Sequence, residues 1–144
     1  PPTVVATAVC AGKLQAPVQD VKPGDKIIVQ GVTLEAVPAY NIGKTFHPQA
    51  KGWVGYVVTV NGKRIYHAGD SDHTPEMDAV RADVALLPVG GKYTMNVDEA
   101  AAAANTIKPG VAVPMHWGSI VGGRSDAERF AEIVQVPVEI LDVQ

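Results

Sequence analysis

The sequence predicts an α/β (α+β) domain built from mixed β-sheets with helices on one face. Two observations carry that expectation. In the second half, apolar runs of strand length alternate with segments of helical character, the pattern of a sheet covered by helices. In the first half, strand-like runs follow one another across short turns, which calls for antiparallel pairing and so for a mixed sheet.

Residues 3–7 read as a short strand, followed by a small-residue turn or short helix over 10–14 and an extended run over 17–21. Lys22-Pro23-Gly24-Asp25 is a turn, with proline and glycine in favourable order. Residues 26–30 and 32–37 form an antiparallel pair around Gly31. Residues 38–52 are a connection rich in Gly, Pro, Asn, Lys and His, and one of that length without its own periodicity is more often functional than idle. Asn61-Gly62, between the runs 53–60 and 63–67, is the strongest short hairpin signal available.

Thr74-Pro75-Glu76 starts a short helix, with Thr74 as N-cap and Pro75 at the first helical position. Residues 84–89 are a buried strand ending at Gly90-Gly91. A helix follows over 96–107, favoured by Asp98 and Glu99 near its N-terminus and by its alanine run, and stopped by Lys108-Pro109-Gly110. Residues 111–115 are the next buried strand, 125–134 a helix with Ser125 and Glu128 in capping-box spacing, and 136–141 a final strand. The 144 residues make a single domain, large enough for a real core.

Composition excludes several classes. Apolar residues are 47% and charged residues 19%, a globular rather than a disordered balance. A net charge of −3 argues against a nucleic-acid partner, which needs a basic face to replace phosphate counterions. No apolar run approaches the roughly 20 residues that span a bilayer, so no membrane partner is expected. The single cysteine, Cys10, forms no internal disulfide and fits a reducing cytoplasm, its default reading being an apolar structural residue.

Candidate chemistry gathers at two strand ends. Ile65-Tyr66-His67-Ala68-Gly69-Asp70 runs out at a glycine and delivers an aspartate; Val111-Ala112-Val113-Pro114-Met115 delivers His116. Ligands collect at such carboxyl ends in open α/β sheets, and a carboxylate with a neutral imidazole suits Zn, Mn or Fe. Read separately, Asp70 is as well a turn-capping residue and His116 a core histidine. His47, in the long loop, is a further ligand, a substrate contact or a solvent-exposed residue. Strand alternation sets His67 on the face opposite Asp70, hence a structural role or one supporting a ligand from behind; His73 flanks the site or, as favoured, lies at the surface; Asp72 either supports a ligand or, as favoured, is a charge at the start of the next helix. Gly90-Gly91-Lys92 and Gly122-Gly123-Arg124 are weak candidates for anion-holding turns; Tyr93 and Arg124 are candidate substrate contacts.

In order, Pro38-Ala39-Tyr40-Asn41, Phe46-His47-Pro48, Gly52-Trp53-Val54-Gly55-Tyr56, Tyr66-His67-Ala68-Gly69-Asp70-Ser71-Asp72, Leu87-Pro88-Val89-Gly90-Gly91 and Pro114-Met115-His116-Trp117-Gly118 resemble the metallo-β-lactamase superfamily, in its branch of small metal-dependent hydrolases. The resemblance covers essentially the whole chain and implies an αββα sandwich, here a partial version corresponding to the C-terminal portion. It implies that Asp70 is the metal-binding, often bridging, aspartate and His116 the last histidine ligand. Where the family has its middle histidine this chain has Tyr40-Asn41, which leaves His47 as the substitute ligand and Asn41 as a substrate contact.

The family's H-x-H-x-D-H signature is absent from the sequence. The implied activity is therefore metal-bound hydroxide attacking an ester, lactone, amide or phosphodiester, carried here by an incomplete set of ligands, with divalent metal, zinc first, held weakly or not at all. The alternative is a non-catalytic half-fold that acts as an oligomeric or small-ligand binding module. A sheet face left bare would favour a homo-oligomer.

Overall fold

The computed structural model describes residues 3–142. Eight strands and four helices follow in the order β1 (Val4–Ala6), α1 (Ala8–Ala11), β2 (Val18–Asp20), β3 (Lys26–Val29), β4 (Val32–Pro38), β5 (Val54–Val60), β6 (Lys63–His67), α2 (Pro75–Asp78), β7 (Val84–Pro88), α3 (Val97–Ile107), β8 (Val111–Met115) and α4 (Arg124–Ile133). Six strands form one sheet in chain order, β3 to β8, antiparallel from β3 to β6 and parallel from β6 to β8. The expected mixed sheet with helices on one face is what forms.

Two hairpin turns set the antiparallel half. Gln30-Gly31 and Asn61-Gly62 all take positive φ, the turn whose twist matches paired strands. The resulting register lines up Val57 with Tyr66, Tyr66 with Ala85 and Ala85 with Ala112. This row is buried, and with Leu87 it packs against Met77 of α2, Ala100, Ala103, Ala104 and Ile107 of α3, and Phe130 of α4. Alanines suit α3 because a small side chain lets the helix lie close to the sheet. Its first turn is closed by Asn96 and Glu99, each accepting the other's backbone N–H.

The opposite face carries the neighbouring row Leu34, Val58 and Ile65, partly exposed, with Ile65 at 37%. Away from this sheet, β1 and β2 pair in parallel as a separate two-stranded sheet. Among the described residues no helix is long and apolar enough to cross a membrane.

Three expectations need correction. Residues 136–141 do not form a strand: only an isolated bridge joins Val138 to Ala112, because Pro137 has no N–H to extend the ladder. The start of α4 is held by Asp126 accepting from Gly123 N at 2.7 Å, while Glu128 pairs with Arg124, so the Ser125–Glu128 capping box does not form. Cys10 is exposed rather than an apolar core residue.

Candidate metal centre

Asp70 lies just beyond the end of β6, and His116 just beyond the end of β8. His116 has φ of 59°, a left-handed conformation uncommon for a residue with a side chain, which turns it abruptly out of the strand. Its Nε2 lies 3.4 Å from Asp70 Oδ1. The other carboxylate oxygen, Oδ2, faces His47 Nε2 at 3.5 Å. The three residues proposed as ligands from sequence therefore meet, with Asp70 in the middle and one imidazole at each of its oxygens. Among the described residues no set of three His, Cys, Asp or Glu side chains closes into a ready metal cage. The two histidines flank the carboxylate rather than surround a common point.

The loop that carries His47 is tightly built. Asn41 Oδ1 accepts the His47 backbone N–H at 2.9 Å, and the Asn41 N–H donates to the His47 carbonyl at 2.7 Å. The Tyr93 carbonyl accepts from Asn41 Nδ2 at 2.9 Å and from His47 Nδ1 at 3.2 Å. A carbonyl only accepts, so this contact favours a proton on His47 Nδ1, and Nε2 is the nitrogen that faces Asp70. A lone pair facing a carboxylate at this range is repulsive unless a proton or a cation lies between them. Trp53 closes the other side of the ring, edge to face at 5.6 Å between centroids.

The spacing bears on which cation fits. Two donors on one tetrahedral zinc, at bond lengths near 2.1 Å, stand about 3.4 Å apart. Both His–Asp pairs have that separation, longer than the roughly 2.7–2.9 Å of a charge-assisted hydrogen bond. Each His–Asp pair thus has the chemistry and the separation of two donors on one divalent ion, while the three side chains together do not converge on a single point.

A cavity of about 480 Å³ opens beside Asp70 and His47, lined further by Thr7, Cys10, Ala39, Trp53 and Tyr56. The Thr7 hydroxyl there is buried and makes no hydrogen bond. Burial, with a contribution from Cys10, raises the Tyr56 hydroxyl above its ordinary pKa.

The remaining candidates fall elsewhere. Asn41 is buried and its amide is bonded to His47 and Tyr93, where it holds the loop. The Tyr93 ring packs edge-on against Phe46, and its carbonyl is the group that serves the site. Arg124 is engaged by Glu128 and Asp142 and borders a separate cavity with Trp117 and Ser119. His67 is exposed and accepts from Gly69 N; His73 pairs with Asp78. Gly91 and Lys92 donate their N–H groups to the Met95 and Gly90 carbonyls, and Gly123 donates its own to Asp126. Of the two readings of Asp72, the favoured one, a charge serving the next helix, is not what forms: its carboxylate accepts from Ile42 N and Lys44.

Gly90 supports His116 by leaving room for it. A Cβ there would sit 2.6 Å from the His116 carbonyl oxygen, 2.7 Å from Val121 Cγ2 and 3.1 Å from His116 Nδ1. The first of these is backbone and has little freedom to yield. Gly90→Ala should cost about 1–3 kcal/mol and displace the imidazole. Urea midpoints, with the His116 ring signals as a local reporter, test this; a variant with wild-type stability and ring shifts would show that the turn relaxes freely.

The sequence profile of the Beta-lactamase superfamily domain matches residues 6–116. A UPF0173 metal-dependent hydrolase of Thermoplasma acidophilum is 40% identical over 115 residues, covering 77% of this chain and 51% of the relative. One from Pyrococcus abyssi is 38% identical over 111 residues, covering 74% and 49%. A crystal structure of a Parabacteroides distasonis protein described as a metal-dependent hydrolase superposes with a TM-score of 0.86 at 32% identity, over 99% of this chain and 65% of that one. Igni18, a metallo hydrolase from Ignicoccus hospitalis, gives 0.78 at 25% identity, over 96% and 64%. The chain spans about half the length of the curated relatives it matches. With the profile running through most of its sequence and relatives at this identity, the chain belongs to the metallo-β-lactamase superfamily.

Proposed function

We propose that this chain carries part of the metal centre of a hydrolase acting on an ester, lactone, amide or phosphodiester, with His47, Asp70 and His116 as its ligands. The observation that supports this most directly is the pairing of each Asp70 oxygen with one imidazole nitrogen at 3.5 and 3.4 Å. Zinc is the first choice because imidazole and carboxylate donors suit a borderline ion, and manganese or iron also fit. A divalent ion bound there supplies Lewis acidity and lowers the pKa of its water toward about 7.

The chain's own residues do the rest. Asp70 brings the negative charge that attracts and orients the cation. His47, with its Nδ1 set against the Tyr93 carbonyl, turns its Nε2 toward the site. His116 closes the opposite side. Trp53, Tyr56 and Ala39 give the adjoining cavity an apolar wall, which limits water around a bound substrate.

Three ligands that flank one another leave the ion weakly held. We therefore expect this chain to bind zinc in the micromolar to millimolar range and to hydrolyse generic phosphodiesters or lactones near background. Calorimetric titration with zinc and manganese, followed by a hydrolase screen, tests this. Equal zinc affinity in wild type and a His47→Ala/His116→Ala double variant would overturn the ligand assignment. Stoichiometric metal surviving dialysis, with turnover, would overturn the expected weakness.

A further inference from the structure

We infer that Asp72, a residue with no contact to the reacting centre, is a positioning residue for His47, acting through Lys44 and the Thr94–Tyr93 backbone. The inference rests on His47 being a ligand, as proposed above. Asp72 is 4% exposed, and both its oxygens are committed to the His47 loop. Oδ2 accepts from Ile42 N at 2.7 Å and Oδ1 from Lys44 Nζ at 2.6 Å. Lys44 Nζ also donates to the Thr94 carbonyl at 2.9 Å, so a single ammonium joins the loop to the segment that follows β7. The Asp72 backbone N–H adds a third tie, to the Tyr40 carbonyl at 2.9 Å.

The peptide next to Thr94 carries the Tyr93 carbonyl, which accepts from His47 Nδ1 and Asn41 Nδ2. The clamp therefore fixes the distance between a histidine and the carbonyl that favours a proton on its Nδ1, against the pull of Asp70 on Nε2. With that carbonyl displaced, the ring is free to carry its proton on Nε2, the nitrogen that faces Asp70, and a protonated Nε2 does not ligate a metal. The amide of Asn has nearly the shape of the carboxyl group but replaces one acceptor oxygen with a donor. Asp72→Asn leaves either the Ile42 N–H or the Lys44 ammonium facing another donor.

The test reads the tautomer directly. Long-range 1H–15N spectra of the metal-free protein near pH 9, where an ordinary imidazole is neutral, should show His47 as the Nδ1–H form in wild type and as a mixture in Asp72→Asn. Zinc affinity should fall about 10–100-fold in the same variant, the range for loss of a group that orients a ligand. Asp83→Asn is the control: that carboxylate also accepts a backbone N–H, from Arg64 at 2.8 Å, and should leave the tautomer untouched.

An unchanged tautomer in folded Asp72→Asn overturns the inference, as does an equal shift in Asp83→Asn. Should Asp72→Asn fail to fold, Lys44→Met decides, since it keeps the Asp72–Ile42 bond and cuts the link to Thr94; a wild-type tautomer there overturns the inference. Absence of zinc binding by wild type defeats the proposed function alone, because the tautomer is read without metal.

Discussion

Asp70→Ala is expected to lower zinc affinity beyond the roughly 10–100-fold that loss of a merely supporting group produces, because both imidazoles face this one carboxylate. The same change should scarcely alter stability. The Asp70 side chain is 47% exposed, and its close partners are the two histidine nitrogens. Exposed positions of this kind move the free energy of unfolding by about 0.5 kcal/mol or less. Calorimetric zinc titration paired with thermal unfolding separates the two effects. Wild-type affinity would dismiss Asp70 as a ligand, and a large loss of stability would make it a structural residue.

Phe130→Ala should give the opposite signature. Phe130 is fully buried where α4 packs under the parallel half of the sheet. Truncating a phenylalanine in such a core costs about 3–5 kcal/mol, through lost transfer energy and the cavity left behind. For a chain of this size that corresponds to a melting temperature lower by roughly 10 °C or more. Arg129→Ala, one residue earlier and exposed, serves as reference. A Phe130→Ala midpoint no lower than that of the reference would mean that α4 is dispensable to the core.

What was legible in the sequence was local or carried by side-chain chemistry. Asn61-Gly62 specifies its hairpin with two residues, Thr74-Pro75 its helix start with two, and the strand-end positions of Asp70 and His116 follow from where apolar runs stop. The approach of Asp70 to His116 follows from the strand ends and the resemblance together, while His47 enters as the substitute ligand for the family's middle histidine. What escaped depends on partners distant in sequence or on backbone groups. For Asp72 the helix charge outweighs a supporting role at the site because that helix starts three residues on, whereas its actual partners Ile42 and Lys44 lie 30 and 28 residues back. The Tyr93 carbonyl, which faces His47 Nδ1, belongs to the main chain and has no signature at all. Residues 136–141 have the composition of a strand, but Pro137 interrupts the donor pattern a strand needs.

The order of strands in the sheet makes the two halves of the donor set unequal in lifetime. Asp70 hangs from β6, an interior strand, whereas His116 follows β8, which has β7 on one side and only the Ala112–Val138 bridge on the other. Elements at such margins open as separate cooperative units well below the free energy of global unfolding. Each opening of β8 would carry one imidazole away and leave the Asp70–His47 pair in place. An ion shared across Asp70 would act as a staple between a more durable and a more transient part of the chain, raising the protection of β8 amides against hydrogen exchange by an amount set by its concentration relative to its dissociation constant.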